Sequence, residues 1–236
     1  MEFNDRLIQG RLIKRYKRFL ADVELQTGET VTAHCPNTGG MLGCQDENSS
    51  VWLRYAPSPK RKLDYSWELA TSQEQLVGIY SARANDLVEE AWCAGLLLPF
   101  SGYKQVKREV KVGKSRLDFF FSRHANSKVP DCYVEVKSVT ASTEAGVALF
   151  PDAKTQRGLK HLQELMQLRQ EGHRVAMLFC IQRDDCEQLR TAPEFDKDYA
   201  QAFELARAAG VEAYAYACEL SPEHIRIDKP VLIRQS

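Results

Sequence analysis

The 236-residue chain carries no net charge, since 32 Lys and Arg balance 32 Asp and Glu. No whole-molecule field therefore draws it to a polyanion or a membrane, and any basic surface has to be local. Long apolar runs are missing too. A stretch such as Val175–Ile181 falls far short of the ~20 residues of a membrane span. The opening Met1-Glu2-Phe3-Asn4-Asp5 has neither the basic nor the apolar region of a secretory signal. The seven cysteines are odd in number and contain no Cys-x-x-Cys pair, which fits neither a zinc ribbon nor a disulfide framework and predicts reduced thiols in a cytoplasm. His34, Cys35 and Cys44 lack an evident fourth ligand, so no zinc is expected.

What is present is an ordinary globular composition, 44% apolar and 27% charged, long enough for one large domain or two small ones. Residues 1–80 read as short alternating runs (Leu7–Phe19, Asp22–Leu25, Thr30–Ala33, Met41–Cys44, Val51–Tyr55, Ser66–Leu69, Leu76–Tyr80) with a turn every ten or so residues. This pattern predicts an antiparallel sheet closed as a five-stranded OB-type β-barrel. Residues 81–236 change grain. Helical spacing over Ala84–Leu97, Asp152–Glu171 and Lys197–Ala209 alternates with candidate strands Gln105–Val112, Arg116–Phe121, Cys132–Val139, Arg174–Gln182 and Val211–Cys218. The order α-β-β-β-α-β-α-β predicts a second, α/β domain with a mixed central sheet and helices on both faces.

The most chemical stretch lies between Arg116 and Val139. Glu135 and Lys137 are two apart on one strand and share a face, with Val134 and Val136 on the other. If the preceding hairpin is centred between Asn126 and Ser127, Asp118 sits opposite Glu135, with Cβ atoms about 4.5–5.5 Å apart. Two carboxylates at that spacing repel unless a cation lies between them, and hard oxygen donors favour Mg²⁺ (or Mn²⁺). Lys137, one pleat on, can hold a water or a phosphate oxygen beside that ion. Arg116-Leu117-Asp118 followed by Glu135-Val136-Lys137 resembles the PD-(D/E)xK nuclease superfamily. Asp131, which spells the motif's name with Glu135 and Lys137, lies roughly 13 Å from Glu135 along the same strand and cannot share its metal. The superfamily usually adds a glutamate from the preceding helix; of Glu89 and Glu90, the choice falls on Glu90. The bland alternative is a structural Glu135–Lys137 ion pair with Asp118 at its edge.

Basic residues cluster locally. Tyr103–Arg123 holds seven cations (Lys104, Lys107, Arg108, Lys111, Lys114, Arg116, Arg123) against Glu109 and Asp118. Lys14-Arg15-Tyr16-Lys17-Arg18 interleaves cations with an aromatic ring, Lys60-Arg61-Lys62 follows a Pro-Ser-Pro loop, and Arg157 and Lys160 lie on the helix after the hairpin. Cations for phosphates and rings for bases predict a nucleic acid as the partner, bound in a largely sequence-independent and salt-sensitive way. The loop His34–Met41 carries glycines and small donors suited to an anion or simply to a tight turn. Leu205–Val211 has the Ala-x3-Gly-Val spacing of a helix-turn-helix corner, but the following Val211–Cys218 alternates like a strand.

Several long segments resemble the sugar fermentation stimulation protein A family of bacteria and archaea: Leu12–Val23, Cys35-Pro36-Asn37-Thr38-Gly39, Ser115–Phe119, Cys132–Thr140, and Phe150-Pro151-Asp152-Ala153 with Arg157-Gly158-x-Lys160-His161-Leu162. The resemblance implies an OB-fold, a nuclease-like domain, DNA binding, a link to sugar (maltose) metabolism and a proposed C-terminal helix-turn-helix. It places Asp118, Glu135 and Lys137 on the nuclease motif and, less directly, Glu90. Two departures stand out: Tyr80-Ser81 where the family often has Asn-Thr, and Asp86 in place of a basic residue. Two readings follow, a Mg²⁺-dependent DNA endonuclease and a non-catalytic DNA-binding transcriptional regulator.

Overall fold

The computed structural model describes residues 1–113 and 115–234. The first domain comprises β1 (Ile8–Tyr16), β2 (Leu20–Leu25), β3 (Thr30–His34), β4 (Ser50–Tyr55), β5 (Tyr65–Ser72) and β6 (Gln75–Gly78). Alternating burial along β2, β3 and β4 turns one face of each strand inward, onto Leu12, Val23, Met41, Leu53 and Trp67. β1 pairs with β2 and β4, β5 pairs with β4, and a parallel contact of Ala33 with Tyr65 joins β3 to β5. These five strands close an OB barrel, as the turn spacing predicts. Met41–Cys44 is a turn and not the expected strand. Met41 and Gly43 adopt φ of 51° and 74°, which breaks any extended run while still burying Met41 and Cys44.

The second domain follows with α1 (Arg83–Cys93), β7 (Tyr103–Val112), β8 (Ser115–His124), β9 (Cys132–Val139), β10 (Ala141–Glu144), β11 (Val147–Phe150), α2 (Gln156–Gln170), β12 (Arg174–Ile181), β13 (Gln188–Thr191), α3 (Lys197–Ala208), β14 (Glu212–Leu220), β15 (Ile225–Pro230) and β16 (Leu232–Ile233). Its main sheet has the order β15-β14-β12-β9-β8-β7. The three central strands β9, β12 and β14 run parallel, with antiparallel neighbours on both sides. α1 packs on one face, over Phe119, Val134, Val136 and Leu178. α2 and α3 cover the other, over Met177, Phe179 and Ala217. That double coverage is why β12 reads as an unbroken apolar run. A smaller sheet, β10-β11-β13-β16, lies outside the predicted order of elements.

The helix ends follow from local chemistry. Thr155 caps α2 by accepting the Gly158 N–H, and Asp196 caps α3 by accepting that of Tyr199. α3 stops at Gly210, whose φ of 90° closes the helix in the left-handed region. β14 then pairs with β12 and β15, so no recognition helix follows and the helix-turn-helix is absent from residues 205–220.

Polar contacts lock the domains together. Glu68 of β5, its side chain fully buried, receives Arg54 at 2.8 Å and Arg83 of α1 at 2.7 Å. Val77 of the barrel bridges to Arg183, and the Gly78 N–H donates to the Gln182 carbonyl at 2.8 Å. The barrel loop after β3 is tied across by Met41 N–H to Asp152 at 2.8 Å. A Cβ at Gly40 would lie 2.5 Å from the Asp152 carbonyl oxygen, so only glycine allows this approach.

Candidate functional site

β8 and β9 pair antiparallel with Phe119 opposite Val134 and Phe121 opposite Cys132. One step further, where Asp118 and Glu135 would pair, the ladder ends and the strands part. The Val136 N–H, freed from the ladder, donates to Asp118 Oδ2 at 2.7 Å, and Asn85 Nδ2 donates to Oδ1 at 2.8 Å. The neighbouring strand departs from regular backbone at the same level. Glu109 takes φ of 54°, the left-handed region that non-glycine residues rarely visit. The β7–β8 pairing accordingly skips from Arg108–Phe119 to Val110–Leu117. Leu117 packs on the α2 side and Phe119 on the α1 side, although residues two apart on a regular strand share a face.

Glu135 is almost fully buried, at 2% exposure. Its Oε1 accepts from Lys137 Nζ at 2.6 Å and makes a close hydrogen bond with His161 Nδ1 of α2. Its Oε2 has no hydrogen-bond partner among the described residues. Asp118, Glu135 and Lys137 line one cleft of about 440 Å³, walled by Asn37–Gly39 of the barrel, the start of α1, Asp152 and Arg157. Ser81, Ala82 and Ala84 at the start of α1 line this cleft with no side-chain cap, which sets the positive end of the helix dipole at its wall.

Burial, and then the charge of Glu135, pushes the Asp118 carboxyl up from 3.8 to about 6 against the hydrogen bonds it accepts. Burial alone would raise Glu135 as well. The His161 hydrogen bond and the Lys137 charge outweigh it and hold Glu135 below its ordinary value. Asp118 is thus the group poised between charge states, and Glu135 the fixed anion.

Among the described residues no three His, Cys, Asp or Glu side chains are arranged to hold an ion. The donors present are two carboxylates, one with an unpartnered buried oxygen. That set fits a hard divalent cation of the Mg²⁺ type, which is commonly held by one or two carboxylates with waters and substrate phosphates completing its shell.

Residues 82–224 match the model of the sugar fermentation stimulation protein RE domain, and residues 13–79 that of the SfsA N-terminal OB domain. The chain belongs to the sugar fermentation stimulation protein family. It is 48% identical to the homolog from Maricaulis maris over 237 residues, covering all of both chains. Identity to the Pseudomonas putida homolog is 49% over 239 residues, covering 99% of each. The solved structure of Pyrococcus furiosus SfsA in complex with Ca²⁺ superposes with a TM-score of 0.87 at 26% identity, covering 100% of this chain and 98% of that one.

Within this family fold, Asp118, Glu135 and Lys137 come together, but Glu90 does not join them. It lies five residues beyond Asn85, about one and a half turns along α1, and binds the Met1 ammonium at 2.5 Å; the polar α1 residue at the cleft is Asn85. Asp86 and Glu89 are both taken by Arg108, at 2.7 and 3.1 Å, so the family departure at Asp86 carries its own countercharge. Ser81, the other departure, donates to the Pro36 carbonyl at 2.9 Å.

The expected nucleic-acid contacts divide. Arg15 is spent on the carbonyls of Arg18, Asn37 and Gly39, and Arg61 on the Ala56 carbonyl and Ser66. Tyr16 donates to Asp22, and Lys14 lies 3.8 Å from the same carboxylate. Lys17, Arg18, Lys60, Lys62, Lys107 and Lys111 are exposed, while Arg157 reaches the cleft. A neighbouring hollow gathers Arg116, Arg157 and Lys160. Lys114 lies outside the described residues. His161 and Asp152 were missed as site residues. The available signal was their place in the Phe150–Leu162 blocks, with Arg157 and His161 four apart on one helical face.

Among the described residues no helix is long and apolar enough to cross a membrane.

Proposed function

We propose that this chain is a Mg²⁺- or Mn²⁺-dependent nucleic-acid phosphodiesterase of the nuclease-like type, working in a cytoplasm. One observation carries the reading: two carboxylates from adjacent strands enter a single cleft where the ladder opens, with a lysine beside them and one buried oxygen left unpartnered. The Ca²⁺ complex of the Pyrococcus furiosus relative supports a divalent ion, since Ca²⁺ and Mg²⁺ both take hard oxygen donors.

Asp118 and Glu135 would hold the ion. Once bound, a divalent ion polarises the phosphoryl oxygen and makes water a stronger nucleophile. Lys137 orients the attacking water and steadies the charge that develops on the phosphate oxygens. The α1 N-terminus and Arg157 draw the flanking phosphates in. The exposed cations of the barrel extend the track without reading sequence.

A second reading is a non-catalytic DNA-binding regulator. It is favoured by the Lys137–Glu135 contact, which is already a closed ion pair at 2.6 Å, and it suits the family's name. Incubating the full chain with single- and double-stranded DNA and Mg²⁺ or Mn²⁺ separates the two. Cleavage that disappears in Asp118→Ala and Lys137→Ala supports the enzyme. Retention of DNA without cleavage under either metal supports the regulator, and no retention at low salt defeats both.

A further inference from the structure

We infer that His161 is a positioning residue of the cleft, fixing the Glu135 carboxylate so that one oxygen keeps its full acceptor capacity for a divalent cation. This rests on the metal-site reading above.

His161 is 3% exposed on α2, among residues that face the sheet: Gly158, Leu162 and Leu165 are buried with it. An ionised carboxylate can only accept, so the close contact of Nδ1 with Glu135 Oε1 puts the proton on Nδ1. Lys137 Nζ donates to the same Oε1 at 2.6 Å and lies 3.4 Å from Nδ1. Two donors therefore converge on one oxygen while the other has none.

A carboxylate rotating freely about its last torsion would share donors between its oxygens, because a buried acceptor left unsatisfied costs about 1–3 kcal/mol. The asymmetry has to be imposed from outside. Lys137 cannot impose it alone, since an ammonium on a flexible stem follows whichever oxygen turns toward it. The imidazole, held by α2 against the sheet, is the rigid member. It acts through Glu135, in the way that partners beyond the ligands orient metal-binding groups, whose removal typically weakens metal affinity about 10–100-fold.

The test is Mn²⁺ titration of the full chain, read from the electron paramagnetic resonance signal of free Mn²⁺, for wild type, His161→Leu and His161→Asn. The leucine variant fills the space without a donor and is expected to bind Mn²⁺ about 10–100-fold more weakly. The asparagine variant returns an N–H near the place of Nδ1 and is expected to recover most of that loss. Unfolding in EDTA records whether each variant is folded. Equal affinity in wild type and His161→Leu overturns this inference and leaves the metal site standing. Absence of saturable binding in wild type overturns the metal reading and the inference with it.

Should His161→Leu fail to fold, the asparagine variant and a measurement on wild type decide. ¹⁵N spectra of the histidine ring should show the Nδ1-bound proton persisting when the protein is saturated with Ca²⁺. Loss of that proton on Ca²⁺ binding would make His161 a ligand in its own right and overturn the positioning role.

Discussion

Replacing Asp118 by Asn should stabilise the metal-free protein at alkaline pH. The Asp118 carboxyl is raised from 3.8 to about 6 by burial and by Glu135. Between about pH 4 and pH 6 the folded chain holds a proton that the unfolded chain has released. Stability therefore falls as pH rises through that window and is level above it. A displacement of this size is worth about 3 kcal/mol at pH 8. Solvent at the open side of the cleft screens part of it, so about 1–2 kcal/mol is the expected gain.

Asparagine is nearly isosteric. Its amide oxygen can accept the Val136 N–H, and Asn85 can turn its own amide to accept the remaining donor. Urea unfolding in EDTA at pH 8 should show Asp118→Asn more stable than wild type with an unchanged m value, and the difference should vanish at pH 4. With Mn²⁺ at about 100 times its dissociation constant, wild type should gain about 2.7 kcal/mol and the variant little. A variant less stable than wild type at pH 8 in EDTA would mean that the Asp118 charge is favourable in the fold, and the repulsion argument would fail.

Metal affinity should fall about tenfold per pH unit below about 6, because the proton competes with the ion for Asp118; calorimetric titration that shows no change between pH 6 and pH 5 would contradict this. Glu68→Gln should cost about 3 kcal/mol in denaturant unfolding, since it leaves Arg54 and Arg83 around an uncharged buried side chain, and a loss well under 1 kcal/mol would show the clamp to be incidental. Arg157→Ala should lower the slope of log affinity against log salt by about one for DNA binding measured by fluorescence anisotropy, without altering sequence preference. An unchanged slope would remove Arg157 from the phosphate track.

The hairpin was the most legible part of the chain. Strand period and loop centring alone place Asp118 opposite Glu135, and the observed Phe119–Val134 pair is the same register one step in. β9 spans Cys132–Val139, the range its alternation suggested, because a strand lined by Val134 and Val136 has one way to face a core. Glu90 was not legible. On a helical wheel it flanks the apolar face as Glu89 does, and what separates them is the approach of Met1 and Arg108 from distant parts of the chain. Arg15 and Arg61 look like free cations in sequence and are spent on carbonyls that only the folded loops bring near. The sheet built from β10, β11, β13 and β16 has strands of four residues or fewer, too short for a period to show.

The alternative to a site is a structural Glu135–Lys137 ion pair with Asp118 as a neighbouring acid, and energetics weigh against it. An ion pair kept for stability should satisfy its oxygens, yet Glu135 Oε2 is buried and unpartnered. It should avoid like charge, yet Asp118 is raised by Glu135. It should sit on relaxed backbone, yet the adjoining strand carries Glu109 in the left-handed region. Each feature costs on the order of 1–3 kcal/mol, together a large part of the 5–15 kcal/mol by which a folded domain is stable. Glu68 shows the opposite pattern: it is equally buried and is met by two arginines through three short hydrogen bonds. The like charge of Asp118 and Glu135 and the unpartnered oxygen at this fork, set against the saturated Glu68, are the costs that the proposed divalent ion would relieve.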